Sequence, residues 1–190
     1  MLPMDPSQTD TLRPDLPPNW LDQVTIRQLG KADLRALEWE GEFIHFRRLY
    51  ASAYERARMG LALLWGAFLP GDRLIGQLFI QLLSDRLELA DGSRRAYLYS
   101  FRIRPAYRGN GLGTRMLEVI EQDLIARGYE ILTLNVAKDN TRAQALYRRL
   151  GFRITAHEPG IWSYPDHEGV WRRVVEPAWR MEKRLKQPHQ

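Results

Sequence analysis

The 190-residue sequence predicts a single domain of the mixed α/β class. Three observations carry that expectation. Residues 97–103 alternate with the period of a strand, Tyr97, Tyr99, Phe101 and Ile103 against Leu98, Ser100 and Arg102. A glycine-rich turn follows, Arg108-Gly109-Asn110-Gly111-Leu112-Gly113, and residues 114–127 then repeat apolar side chains at helical spacing. A second strand and helix come next, with hairpin-like segments on either side of the whole. A strand–helix–strand–helix centre with antiparallel flanks makes a mixed sheet.

The elements follow in order. Residues 1–19 are rich in Pro and Asp without apolar periodicity, and read as a disordered tail before a domain over 20–186. Val24-Thr25-Ile26-Arg27-Gln28 reads as a short strand. Asp33 is the expected N-cap of a helix running to about Trp39. After Gly41, a second helix over 43–59 is predicted from Phe43, Phe46, Leu49, Tyr50, Ala53 and Ala57. Residues 61–68 form a continuous apolar run, as in a strand buried on both faces. Pro70-Gly71-Asp72 turns it into a partner strand over 74–83.

Asp91-Gly92-Ser93 is a turn before the strand 97–103, which Pro105 ends. The helix after the glycines carries Leu112, Met116, Leu117, Ile120, Leu124 and Ile125 on one face, with Gly128 as its stop. Residues 131–136 are again a strand. Asp139 or Asn140 caps a helix whose buried face is Ala143, Leu146, Tyr147 and Leu150, ended by Gly151. The remainder to Leu185, with Trp162, Trp171 and Trp179, reads as extended, with a turn near Pro165-Asp166 and Glu168-Gly169.

Composition narrows the function. There is no cysteine, which excludes disulfides, thiolate catalysis and Cys-type metal sites and fits a reducing compartment. No run reaches the roughly 18 apolar residues of a membrane helix, and the N-terminus lacks a basic start with an apolar stretch after it. A cytoplasmic protein without a membrane partner is expected. The formal net charge of +5 points to an anionic partner. It comes mainly from arginines spread among acids, several of them near the glycines: Arg102, Arg104, Arg108, Arg115, Arg142, Arg148 and Arg149. That spread suits a phosphorylated small molecule better than nucleic acid, which favours a lysine-rich stripe. His45, His157, His167 and His189 have no metal-ligand spacing, so no metal is expected.

A strand that runs through glycines into a helix makes an anion site. The first helical N–H groups lack internal acceptors and the helix dipole adds partial positive charge. Two familiar versions fail on required residues. A nucleotide P-loop needs Gly-Lys-Ser/Thr, whereas Gly113 precedes Thr114-Arg115. A dinucleotide fingerprint needs Gly-x-Gly-x-x-Gly, and the spacing here is Gly-x-Gly-x-Gly. The pattern present is Arg-x-x-Gly-x-Gly, after Ile103-Arg104-Pro105.

With its second motif, Asn140-Thr141-Arg142-Ala143-Gln144-Ala145-Leu146-Tyr147-Arg148-Arg149-Leu150-Gly151-Phe152, the chain resembles the GNAT superfamily of N-acetyltransferases, which use acetyl-coenzyme A. The resemblance implies a GNAT-like fold, mostly antiparallel with a central parallel strand pair. It implies that Arg108, Gly109, Asn110, Gly111, Leu112 and Gly113 bind the pyrophosphate, with Thr114 completing the helix start. It implies that Phe101, Arg102 and Ile103 pair their backbone with the pantetheine arm. The N–H of Ile103 would polarise the thioester carbonyl and stabilise the oxyanion. Asn135 and Asn140 would bond the cofactor arm, and Tyr147 would protonate the departing thiolate.

The expected reaction is direct acetyl transfer in a ternary complex to a primary amine on a small molecule or protein. The alternative is a non-catalytic acyl-CoA-binding module. For the base that deprotonates the amine, Glu40 is taken from the group Glu38, Glu40 and Glu42, with Glu88 and Asp91 as alternatives. Trp162, Tyr164 and Trp171 are candidates to wall the acceptor site. Family members often dimerise through terminal strands, so a homodimer is a further expectation.

Overall fold

The computed structural model of the chain describes residues 16–185. Among these residues nine strands are formed: β1 (Thr25–Gln28), β2 (Ala62–Leu69), β3 (Arg73–Gln81), β4 (Arg95–Ile103), β5 (Ile131–Ala137), β6 (Arg153–Glu158), β7 (Ile161–Pro165), β8 (Trp171–Val175) and β9 (Ala178–Arg184). Three α-helices accompany them, α1 (Arg47–Arg58), α2 (Leu112–Ala126) and α3 (Thr141–Arg149). Seven strands make one sheet in the order β1-β2-β3-β4-β5-β9-β6, and β7 and β8 form a separate hairpin. Only β4 and β5 run parallel, so the sheet is the expected mixed one.

Two apolar cores lie on the two faces of this sheet. On one face Met116, Ile120 and Leu124 of α2 and Tyr147 of α3 meet Leu63, Ile75, Leu98 and Leu132. On the other, Leu37, Tyr50 and Ala53 meet Leu64, Phe68 and Phe79. β2 supplies both, which explains its unbroken apolar run. Met116, Ile120 and Leu124 are fully buried, and each contributes about 2 kcal/mol on area grounds.

Three sequence expectations change. The segment after β1 is a 3-10 helix, Lys31–Gly41, rather than an α-helix capped by Asp33. Gly30 holds the N-cap position. Asp33, drawn into a bidentate pair with Arg27 at 2.7 and 3.0 Å, accepts the Gly30 N–H from three residues on. The segment is broken at Trp39 and Glu40, whose φ of 46° and 57° no helix accepts. The second predicted helix begins later, with a 3-10 turn over Ile44–Phe46 before α1. Of the expected tail, residues 1–15 lie outside the described residues, and Leu16 packs against the larger core.

Asp91 organises the turn into β4. Its carboxylate accepts the N–H groups of Ser93, Arg94 and Arg95 at 3.0, 2.8 and 2.9 Å. Burial works against the charge, but these bonds outweigh it and bring the pKa down to about 2 from the usual 3.8. A depressed folded-state pKa means that the unfolded chain binds more protons between those values, so stability there rises with pH. The contribution of Asp91 is complete above about pH 4 and lost as pH falls through about 2. Urea unfolding from pH 2 to 6 is expected to show this acid-side slope reduced in Asp91→Asn.

Candidate active site

β4 and β5 are neighbours over only four residues each, Arg95, Ala96, Tyr97 and Leu98 opposite Ile131, Leu132, Thr133 and Leu134. This closed end is pinned by the buried Thr133 hydroxyl, placed between the carbonyls of Leu89 and Ala96 at 2.7 and 3.1 Å. Past Leu98, β4 stays with β3 while β5 stays with β9 as far as Ala137. A wedge therefore opens in the middle of the sheet.

The divergence has a local cause. Gln77 pairs with Arg102 and Phe79 with Tyr99, so Ser100 and Phe101 together oppose the single residue Leu78. Ser100 has φ 52°. This is a β-bulge, which bends its strand and resets the side-chain alternation. Before it, Leu98 faces the α2 core and Tyr99 the α1 core. After it, Phe101 and Ile103 face α2, and Arg102 lies on the α1 side. The regular alternation expected for 97–103 is thus broken at Ser100.

The bulge also aims a backbone group. The Arg104 N–H bonds the Ile75 carbonyl at 2.9 Å. Its neighbour pair Ile103–Gly76 is then of the non-hydrogen-bonded kind. The N–H and C=O of Ile103 accordingly point away from β3 and into the wedge. Arg108 Nε donates to that carbonyl at 2.7 Å.

The glycine loop closes one side of the wedge. Gly109 and Gly111 have φ of 77° and 86°, positions that only glycine holds without strain. Gly111 caps α2 with no side-chain bond, so the N–H groups of the first turn are left for an outside acceptor. A Cβ on Gly113 would sit 3.3 Å from Ile103 Cδ1 and 3.6 Å from Phe101 Cζ, which is why the helix can lie this close to β4. Arg142, which the sequence offers only as part of the general basic charge, brings Nη2 to 3.2 Å from a Cβ built on Gly109. Burial, then Arg142, lowers the Arg108 pKa. Arg115 turns away and bonds the Leu21 carbonyl.

On the β5 side, Asn135 is the first residue past the parallel pair. Its Oδ1 is buried without a partner among the described residues, and its side chain interacts with the Tyr97 hydroxyl. Tyr147 of α3 is buried, its ring edge-on to Phe152 at 5.6 Å. Burial, then the nearby Tyr97, raises its pKa, so the phenol keeps its proton. Asn140 caps α3, accepting the Ala143 N–H at 3.1 Å. Gln144, absent from the expected buried face, is buried because its Nε2 ties the carbonyls of Ala137 and Lys138 at 3.0 and 2.9 Å.

The α1 side of β4 is a different environment. Arg102 lies over Phe43 and Phe46, 4.4 and 4.9 Å from the ring centroids. His45 packs on Phe46 at 4.1 Å, and Tyr164 on Phe46 at 5.1 Å, with Trp162 stacked on Tyr164 at 5.1 Å. Trp171 sits on the opposite face of the β7–β8 hairpin, 72% exposed. Burial first, then Arg102, lowers the His45 pKa and favours the neutral imidazole.

Of the carboxylates expected nearby, Glu42 is exposed with no ion pair among the described residues, and the others are engaged. Glu40 forms a bidentate pair with Arg104 at 2.7 and 2.9 Å, which lowers its pKa and makes it a weaker proton acceptor than the sequence suggests. The pair lines a charged cleft of about 640 Å³ with Arg35 and Arg73. Glu38 is buried against Arg47 at 2.6 and 2.9 Å. Glu88 pairs with Arg86, and Asp91 caps its turn.

The profile of the Acetyltransferase (GNAT) family matches residues 28–152. The chain belongs to the GNAT acetyltransferase family. N-alpha-acetyltransferase 40 of Saccharomyces cerevisiae is 41% identical over 93 residues, which are 43% of this chain and 32% of that protein. The chain thus spans about a third of that relative's length. The ribosomal-protein-S18-alanine N-acetyltransferase of Escherichia coli is similar in structure, with a TM-score of 0.64 and 24% identity over 88% of this chain and 97% of that one. A Vibrio cholerae spermidine N-acetyltransferase in complex with CoA and spermine gives a TM-score of 0.62 and 19% identity over 87% and 98%. At such identities these structures speak for the GNAT fold.

The GNAT fold gathers Phe101, Ile103, Arg108 and Gly113 at the wedge, with Tyr147 and Asn135 on its β5 side. Arg102 is separated from them by side-chain direction, and Glu40 by its pair with Arg104. Gly111→Val forces a β-branched residue to a φ of 86°. It is expected to weaken acetyl-CoA binding by at least about tenfold, read by titration calorimetry, with circular dichroism confirming the fold. Unchanged affinity would remove the loop from the binding site.

Proposed function

We propose that the chain catalyses transfer of an acetyl group from acetyl-CoA to a primary amine, directly, in a ternary complex. The observation that carries this reading is the wedge itself: one opening is faced by a backbone N–H, an uncapped helix start and a phenol that keeps its proton. The donor supplies an activated thioester. The residues fit it on two independent counts. Asn135 Oδ1 is a buried acceptor lacking a donor, which an amide N–H of the pantetheine arm would satisfy. The loop from Arg108 to Thr114, with Arg142 beside it, offers backbone donors and positive charge to a pyrophosphate.

Position supports each role. The N–H of Ile103 donates to the carbonyl oxygen on which negative charge grows. Phe101, Arg102 and Ile103 offer the strand edge to the arm. Tyr147 holds the proton that the thiolate takes on leaving. Asn140 acts at one remove, fixing the start of α3 and thereby Tyr147. On the acceptor side, a neutral His45 is better suited than Glu40 to take a proton from the amine, because Glu40 is held as a carboxylate by Arg104.

Thiol release from acetyl-CoA with a panel of amines tests turnover. Tyr147→Phe is expected to lower kcat by about 100-fold with acetyl-CoA affinity unchanged. An unaltered kcat would exclude Tyr147 as the acid, and acyl-CoA binding without turnover on any amine would favour a non-catalytic acyl-CoA-binding module.

A further inference from the structure

Arg102 stands among paired arginines and has no acid of its own among the described residues. Around it Arg47 pairs with Glu38, Arg104 with Glu40 and Arg172 with Asp166. Among the described residues no carboxylate lies within ion-pair distance of Arg102, although it is half-buried. Its hydrogen bonds go to neutral groups and leave from one nitrogen: Nη1 donates to the Tyr50 hydroxyl at 3.0 Å and, at 3.4 Å, to Ser100 Oγ. Nη1 is therefore spent on holding the guanidinium in place, and the rings of Phe43 and Phe46 fix its plane.

That leaves the Nε–Nη2 edge. It is the fork whose two parallel N–H groups match the two oxygens of a carboxylate. Arg47 uses this same edge on Glu38, with Nε and Nη2 at 2.6 and 2.9 Å. A cation with a fixed plane and an open fork meets an anion at little ordering cost. Its place is informative too. Arg102 immediately precedes Ile103, whose N–H faces the wedge, and through the bulge its side chain lies on the opposite layer from α2. Whatever Arg102 binds sits across β4 from the glycine loop, beside the reacting carbonyl.

Resting on the acetyl-transfer reading above, we propose that Arg102 is a specificity-determining residue and that the acceptor is an amine carrying a carboxylate close to its nitrogen, as an α-amino acid does. The charge of the cleft agrees. Asp166, in the turn between β7 and β8, is buried and bonded to Arg172 and to the N–H groups of Glu168 and Val170. His45 and His167 add no negative charge. A polyamine would meet Arg102 with like charge, and Glu38, Glu40 and Asp166 are already paired with arginines. The aromatic rings of Phe46, Tyr164 and Trp162 suit an apolar or sulfur-bearing side chain on the same molecule.

The test uses the full chain and three acceptor types: α-amino acids such as methionine and phenylalanine, the same compounds as carboxamides, and spermidine. A short peptide with an acidic second residue separates a side-chain carboxylate from an α-carboxylate. Both turnover and equilibrium binding in the presence of CoA are measured, the latter by tryptophan fluorescence. The acids are expected to have a kcat/KM about 10- to 100-fold above their carboxamides. Arg102→Met, which keeps the backbone offered to the arm, should erase that ratio through the acceptor's KM, and Arg102→Lys should keep part of it. Acids binding no tighter than their amides, spermidine preferred, or the ratio persisting in Arg102→Met would overturn the proposal. Acids that bind through Arg102 but are never acetylated would support the anion site and overturn acetyl transfer instead.

Discussion

The extra residue in β4 is the constraint on which the rest of the site depends. Ser100 and Phe101 occupy the space of one residue opposite Leu78, so the strand bends and its side chains change phase. Without that bend β4 would have no reason to leave β5 after Leu98. The same step decides three positions at once: the N–H of Ile103 enters the wedge, Phe101 and Ile103 seat α2, and Arg102 passes to the α1 layer. A single backbone irregularity thus separates a donor side from an acceptor side across one strand.

Charge follows the same division. On the α2 side, Arg108 and Arg142 stand beside a helix start with no acid capping it. On the α1 side several charges are paired inside the protein. Arg27 with Asp33, Arg47 with Glu38, and Arg104 with Glu40 fix the 3-10 segment and its kink at Trp39 and Glu40. The left-handed residues at that kink turn the chain toward α1 and bring Phe43, His45 and Phe46 over the sheet. Pairs of this kind contribute modestly to stability where exposed. Their larger effect here is on geometry and on which carboxylates remain available as bases.

Much of this was legible in the sequence. The helical period of α2 and the continuous apolar run of β2 predict buried elements, and the structure places Met116, Ile120, Leu124, Leu63 and Leu64 in its cores. Gly109 and Gly111 announce a turn because glycine takes a positive φ without strain, as both do here. The bulge left no such mark. Ser100 is neither Gly nor Asn, and Tyr97 to Ile103 alternates as a plain strand would, so the phase change was invisible. The orientation of Arg102 and the contact of Arg142 with the loop were hidden with it, since both depend on pairings between distant segments. Asp33 misled for a similar reason. Its cap chemistry is real, but Arg27 across the turn moves it three residues along.

The central claim is that the wedge between β4 and β5, with the glycine loop at its side, receives the arm and pyrophosphate of acetyl-CoA. Amide hydrogen exchange with and without saturating CoA tests it most directly, because the groups invoked are backbone N–H groups. The account predicts slowed exchange at Ile103 and across residues 109–114, with the charged cleft around Glu40 and Arg104 unchanged. Unaltered exchange at Ile103 and the loop, with protection appearing elsewhere, would contradict it.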